Sequence, residues 1–255
     1  MKIKTLSCAV AAVLTIGLGP ASLPAQESES TMLSMTRIYL EPVSWMKFGS
    51  AMEEYIGCYA ENGGEDAWSA WRDMEEDVVW IVNSMEGWAE MDEGRSEANR
   101  ACYSIIEEKM GPLVKKVKTA YADRMDDWSD DYENYDVVRL HQLVVADGME
   151  FRESMGEMVS IVMESDYEHG AGTWYSMIGA DADEVGYFNV EHYESFAAMD
   201  EDRAGYYGVI VEAKSEDEAA EMWEEMMDAL ADDGHGYDTV LLARAEDWSY
   251  DPDGE

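Results

Sequence analysis

The second half of the chain restates the first, so a fold chosen for one half must also serve the other and let the two pack together. Phe48, Met52, Tyr55, Ile56 and Tyr59 follow helical spacing. Phe151, Met155, Met158, Val159 and Val162 stand at an offset of 103 residues and trace a second apolar stripe of the same kind. Ser44 and Asp147 lie just ahead of these stripes, where N-caps belong. The same offset relates Trp71 and Met74 to Trp174 and Met177. The offset then becomes 108: residues 79–82 match 187–190, and Trp88–Glu93 matches Phe196–Glu201. At the end of each half it is 120, where Arg124, Trp128 and Ser129 match Arg244, Trp248 and Ser249. Four blocks kept in order, with the shifts falling in loop-like stretches, define a duplication.

Each copy reads as strand, helix, strand, strand, helix, strand. In copy one the strands are placed at 36–43, 67–74, 77–84 and 121–128, with helices at 44–61 and 98–120 and a break or kink at Gly111-Pro112. In copy two the strands are placed at 136–145, 173–178, 184–191 and 238–245. Its helices fall at 148–164 and from the Ser215–Glu218 capping box to about 231. Residues 206–213 read as an extra strand or short connector. This order is the ferredoxin-like arrangement, with two helices on one face of an antiparallel sheet. Copy one spans 31–130 and copy two 136–250. Both faces of the strand at 136–145 are largely apolar, so both need cover. Helices cover one face, and the sheet of the other copy covers the second. The expected fold is α+β: two ferredoxin-like units packed sheet to sheet as an intramolecular α/β barrel. That pseudo-dimer needs no second chain, and a further homodimer is left open.

Residues 1–25 read as a signal peptide, with Lys2 and Lys4 ahead of an apolar run too short to span a bilayer. The expectation is an exported protein, periplasmic or extracellular. Removing the leader removes Cys8 and leaves Cys58 and Cys102, an even pair suited to a disulfide in an oxidising compartment. The fold puts them on neighbouring helices of copy one. The formal charge of −40, from 57 acids against 17 bases, disfavours nucleic acid and anionic membrane as partners. Two acidic loops, at 126–131 and 181–184, lack the ligand spacing of a calcium site.

All four histidines lie in copy two. His141 shares a strand face with Arg139 and is the candidate acid or base, with Ile38 as its counterpart in copy one. His192 ends a strand beside Tyr193. His169 and His235 sit among glycines in loops. Trp174, Tyr187, Phe188 and His192 are the candidate lining of an apolar cleft. No zinc spacing, hydrolase elbow, phosphate loop or dinucleotide fingerprint occurs, and no metal is expected. No cofactor is expected either, with haem on His141 or His192 as the variant reading.

The segment 172–200, with its Ile178-Gly179 turn, the strand after it, and Tyr193–Ser195 leading into Ala197, Ala198 and Met199, resembles the NIPSNAP-like branch of the dimeric α/β-barrel superfamily. Copy one departs from it, with Met74–Asp77 in place of the Ile-Gly turn. The resemblance implies a cleft between sheet and helices, and it implies a superfamily that includes cofactor-independent monooxygenases and haem-degrading enzymes. The expected function is binding of a small apolar or aromatic molecule. The alternatives are a cofactor-independent monooxygenase in which His141 and Arg139 act on the substrate, and a non-catalytic interaction module.

Overall fold

The computed structural model describes residues 32–132, 135–180, 184–201, 203–231 and 236–252. The leader, His235, Asp181 and Asp183 lie outside them. Copy one comprises β1 (Met32–Leu40), α1 (Trp45–Glu61), β2 (Ser69–Asp73), β3 (Val78–Met85), a short α2 (Glu90–Glu93), α3 (Glu97–Ile105) and β4 (Val114–Arg124). Copy two comprises β5 (Val137–Leu143), α4 (Gly148–Glu164), β6 (Thr173–Met177), β7 (Tyr187–Tyr193), α5 (Gly205–Ala213), α6 (Glu216–Asp228) and β8 (Tyr237–Arg244). The eight strands close one antiparallel barrel in the order β1-β3-β2-β8-β5-β7-β6-β4. The copies join along two seams, β2 with β8 and β4 with β6. Closure gives every strand a neighbour on both sides. No described helix is long and apolar enough to cross a membrane.

Three cores follow from the strand period of two. Outward residues of copy one meet α1 and α3 around Phe48, Tyr59, Val79 and Cys102. Those of copy two meet α4, α5 and α6 around Phe151, Met158, Trp174 and Ile210. Inward residues of both copies, among them Met35, Trp71, Trp80, Leu140, Phe188 and Leu242, fill part of the barrel. Asp147 caps α4 by accepting from the amides of Met149 and Glu150, whereas Ser44 makes no side-chain cap bond at α1. Ser215 Oγ caps α6 by accepting from the Glu218 amide at 3.2 Å and donates to the Glu218 carboxylate at 2.7 Å.

Two expected elements are corrected. The helix expected to reach residue 120 ends at Ile105, winds through one wide turn over Ile106–Met110 and a tight one over Gly111–Leu113, and becomes β4 at Val114. Gly111-Pro112 ends the helix instead of kinking it. Residues 206–213 are helix α5, because Val209 and Ile210 bury against α4.

The register also revises the repeat. Trp71 pairs with Trp80 on β3, and Tyr175 pairs with Phe188 on β7. Trp80 and Phe188 are equivalent, so Trp71 corresponds to Tyr175, one residue beyond the sequence match to Trp174. Trp71 faces the barrel and Trp174 faces the helices, as a one-residue slip along a strand requires. Similarly, His141 corresponds to Thr36, which sits opposite Ile81 as His141 sits opposite Asn189.

The copies exchange their C-terminal tails. After β4, Trp128 packs against Phe151 and Gly156 on α4 of the other copy. After β8, Trp248 packs against Phe48 and stacks on Trp45 of α1. Ser129 Oγ accepts from the Trp174 amide at 2.8 Å, and Ser249 Oγ accepts from the Ala70 amide at 2.9 Å. Cys58 on α1 and Cys102 on α3 form a disulfide, with Cα atoms 5.9 Å apart.

Reducing that disulfide frees a loop spanning 44 residues of sequence, so chemical denaturation of a Cys58→Ala/Cys102→Ala protein should show a loss of about 4 kcal/mol on loop entropy. A Cβ on Gly49 would lie 2.7 Å from Trp248 Cζ2, while one on Gly57 of the same helix meets nothing within 4 Å. Gly49→Ala should therefore destabilise by about 1–3 kcal/mol through overpacking, and Gly57→Ala should stabilise by roughly 0.5–1 kcal/mol through helix propensity. Thermal melts of the two variants check the contrast.

Candidate functional site

A cavity of about 500 Å³ opens from one end of the barrel into its lumen. Its walls are aromatic and aliphatic. Tyr135 stacks on Trp71 with centroids 5.8 Å apart, and Tyr175 stacks on Phe188 at 4.8 Å. Leu33, Met35, Val138 and Leu242 fill the spaces between. Ser69, Asn83, Ser84, Arg244 and Asp251 add polar groups to the lining, and a concave volume of this size that combines apolar walls with polar groups is the usual form of a small-molecule site.

The polar groups of the lumen are under-used. Trp80 is 5 % exposed, and its buried indole N–H has no hydrogen-bond partner. Among the described residues the hydroxyls of Tyr135 and Tyr175 make no hydrogen bond. Burial pushes the Tyr175 hydroxyl up to about 12, with nearby Tyr135 adding to the shift, so it serves as a neutral donor. Burial raises Tyr135 also, against the pull of the Arg244 charge. A buried donor without an acceptor costs free energy that a ligand oxygen could recover.

His192 closes one wall. Its ring stacks on Tyr132 at 4.3 Å and meets the edge of Tyr135 at 4.3 Å. Thr173 Oγ1 donates its single proton to the carbonyl of Asp130 at 3.2 Å. In the 3.0 Å contact between Thr173 and His192, therefore, Nε2–H is the donor. Nδ1 is left with a bare lone pair, buried and without a partner. Burial, reinforced by the charge of Arg124, lowers the imidazole from 6.5 to about 4.

His141 and Arg139 lie elsewhere. The period of two turns Val137, Arg139, His141 and Leu143 outward, and Val138, Leu140 and Gln142 toward the lumen. The expectation that the His- and Arg-bearing face lines the pocket is thus corrected. On that outer face Glu191 Oε2 gathers His141 Nε2 at 3.2 Å, Arg139 Nη1 at 3.4 Å and the Tyr193 hydroxyl at 2.7 Å. His141 Nδ1 meets the Tyr237 hydroxyl. Burial alone would raise the Glu191 carboxyl. The hydrogen bond and charge of His141, then Tyr193 and Arg139, outweigh it and hold the group at about 2. This is a closed ion network, with its polar atoms turned to one another.

Of the expected cleft residues, Phe188 and His192 line the lumen. Trp174 and Tyr187 belong to the helix-side core, where Trp174 Nε1 donates to Tyr206 at 2.9 Å and Tyr187 accepts from Arg152 at 2.9 Å. The space between sheet and helices is packed, so the cleft lies between the sheets. Trp71, Trp80, Tyr135, Tyr175 and Arg244 are lining residues not singled out from sequence. The strand alternation that turns Phe188 inward would have found Trp80, its partner at offset 108.

Haem on either histidine does not fit. His141 lies on the outer face of the barrel with Nε2 buried 3.2 Å from Glu191 Oε2 and Nδ1 against the Tyr237 hydroxyl, and Nδ1 of His192 is covered by protein. Among the described residues no group of three or more His, Cys, Asp or Glu side chains is placed to hold a metal ion. His169 offers its backbone carbonyl to Tyr132 at 2.8 Å. Asp126, Asp130 and Asp131 of the first acidic loop engage Arg124 and the Ala171 amide.

The architecture is that of a dimeric α+β barrel built within one chain. Solved structures share it. A candidate monooxygenase from Lactobacillus acidophilus NCFM superposes with a TM-score of 0.50 at 11% identity, covering 87% of this chain and 98% of its own. A candidate monooxygenase from Fusobacterium nucleatum subsp. nucleatum ATCC 25586 gives 0.51 at 13% identity, with the same coverage of 87% and 98%. An anthrone oxidase-like protein gives 0.51 at 8% identity, covering 88% and 94%. At such identities the likeness is one of fold. No family model and no curated protein matches the chain.

The depressed His192 fixes a pH dependence. Its folded-state value lies below its unfolded one, so the unfolded chain binds the extra proton. The stability it contributes is complete above about 6.5 and is lost as pH falls toward about 4. Thermal melts between these limits should fall more steeply for the unmodified protein than for His192→Asn. Parallel slopes would refute the assignment.

Proposed function

We propose that the barrel lumen binds a small planar aromatic molecule in an exported protein. The observation that carries this is a cavity of about 500 Å³ walled by stacked aromatic rings, with the hydroxyls of Tyr135 and Tyr175 beside them. A flat ligand would lie against Trp71, Tyr175 or Phe188 and offer an oxygen to the tyrosine hydroxyls. Stacked aromatic pairs contribute about 0.5–1.5 kcal/mol beyond area burial. The leader-like start and the disulfide support export. The residues of 172–200 support a place in the NIPSNAP-like branch.

A second reading, oxidation of that molecule without a cofactor, is favoured by the names of two structural neighbours as candidate monooxygenases and a third as anthrone oxidase-like. The chemistry closes without a bound group. An electron-rich phenol and O2 give a quinone and water, with the substrate supplying the electrons and one oxygen atom entering the ring. In this reading the protein's part is to orient the ring, exclude water and hold the phenolic oxygen. His141 and Arg139 have no part in it.

Oxygen uptake with a panel of phenols, read beside quenching of intrinsic tryptophan fluorescence, separates the two readings. Saturable quenching without uptake supports binding alone. Uptake that falls about tenfold in Tyr175→Phe and is unchanged in His141→Ala supports oxidation in the lumen. Absence of both signals refutes the site.

A further inference from the structure

β4 outruns its seam. It pairs with β6 only through Ala122, Asp123 and Arg124, with one more bond from the Ile178 amide to the Tyr121 carbonyl at 2.9 Å. From Val114 to Ala120 it pairs with β1 alone. Every residue from Lys115 to Thr119 is exposed. Both faces of this half-strand therefore meet solvent, and alternate N–H and C=O groups along its free edge have no neighbouring strand to bond. Its charge also runs against that of the chain. Residues 109–122 hold Lys109, Lys115, Lys116 and Lys118, half of the eight lysines, and none of the 57 acids. β1, on the paired side, adds Arg37 and no acid. Among the described residues Lys115, Lys116, Lys118 and Arg37 form no ion pair.

The two faces of the half-strand differ. Lys116 and Lys118 stand opposite Tyr39 and Arg37, and Lys116 lies over the Tyr39 ring at 5.5 Å. Val117, which is 55 % exposed, and Thr119 take the other face, opposite Ile38 and Thr36. Lysines on a strand edge keep two such edges from pairing, since like charges would meet across the new ladder. That guard is selective: it turns away the same edge of a second copy and leaves the strand open to one of opposite charge. We propose that the projecting half of β4 receives an extended acidic segment of a partner polypeptide as an added strand. Backbone bonds along the edge would hold it, acids on one face would meet Lys116 and Lys118, and apolar residues on the other would cover Val117. The partner segment is thus an alternation of acidic and β-branched residues without proline. The site lies outside the lumen and does not depend on what the lumen binds.

Fluorescence anisotropy of a labelled acetyl-EVEVEVE-amide peptide, titrated with the full protein in about 0.15 M salt to screen the distant acids, tests this. Saturable binding is expected. EVEPEVE has the same charge and should bind about tenfold more weakly, because proline gives the ladder no N–H. Lys116→Glu/Lys118→Glu should weaken binding of the first peptide by about tenfold or more, through two exposed charge pairs reversed in sign. Lys214→Glu, at an exposed position just after α5, should leave it unchanged. Equal binding of the proline peptide to the unmodified protein would mean attraction by charge alone and would overturn strand addition. Equal loss in Lys214→Glu would overturn the placement on β4. Absence of binding to the unmodified protein would overturn the proposal outright, and self-association of Lys116→Glu/Lys118→Glu on sedimentation would then leave the lysines as guards only.

Discussion

The barrel depends on a reciprocal exchange. Each copy ends in a strand followed by a short turn carrying a tryptophan and a serine, and in each case both side chains serve the other copy. Trp248 fills the ground beside Phe48, and Trp128 fills that beside Phe151. Ser129 and Ser249 pin the entry strand of the opposite hairpin by its amide. Two ferredoxin-like sheets could slide against each other on an apolar interface alone, because such contacts have little direction. The exchanged tails fix register at both seams. That register turns Trp71 and Tyr175 inward and makes the lumen.

Much of this was legible in the residues. The apolar stripes at Phe48 and Phe151, the Ser215 capping box and the hairpins all stated their structure locally, and the repeat implied a barrel closed within the chain. What escaped was decided at long range. Residues 114–120 are rich in lysine and contain good helix formers, yet they run as strand because β1 pairs with them from Met35 to Leu40. Tertiary pairing outweighs a weak local preference. Residues 206–213 alternate too little to be a half-buried strand, and their valines and isoleucine serve a helix core instead.

The site was legible only in part, for a geometric reason. A strand pattern shows which residues share a face, but not which face meets helices and which meets the other sheet. His141 and Arg139 share a face with each other, and that face meets Glu191, Tyr193 and Tyr237. Phe188 and His192 share the opposite one, where Tyr175 and Tyr135 join them. A one-residue misalignment of β6 had the same effect on Trp174. Each error exchanges the two sides of a single sheet, which is how strand reasoning fails when both sides are apolar.

The joining of both halves in one chain has a consequence for how such a site changes over generations. In a symmetric dimer of identical subunits every substitution lands twice, so a residue that improves one end of a cavity is imposed on its mirror position. Here His192 stands where copy one has Ser84, and Phe188 stands where it has Trp80. Each pair lines a single chamber with two different side chains. Fusion lets the halves drift apart, so one can keep the scaffold sound while the other explores new contacts.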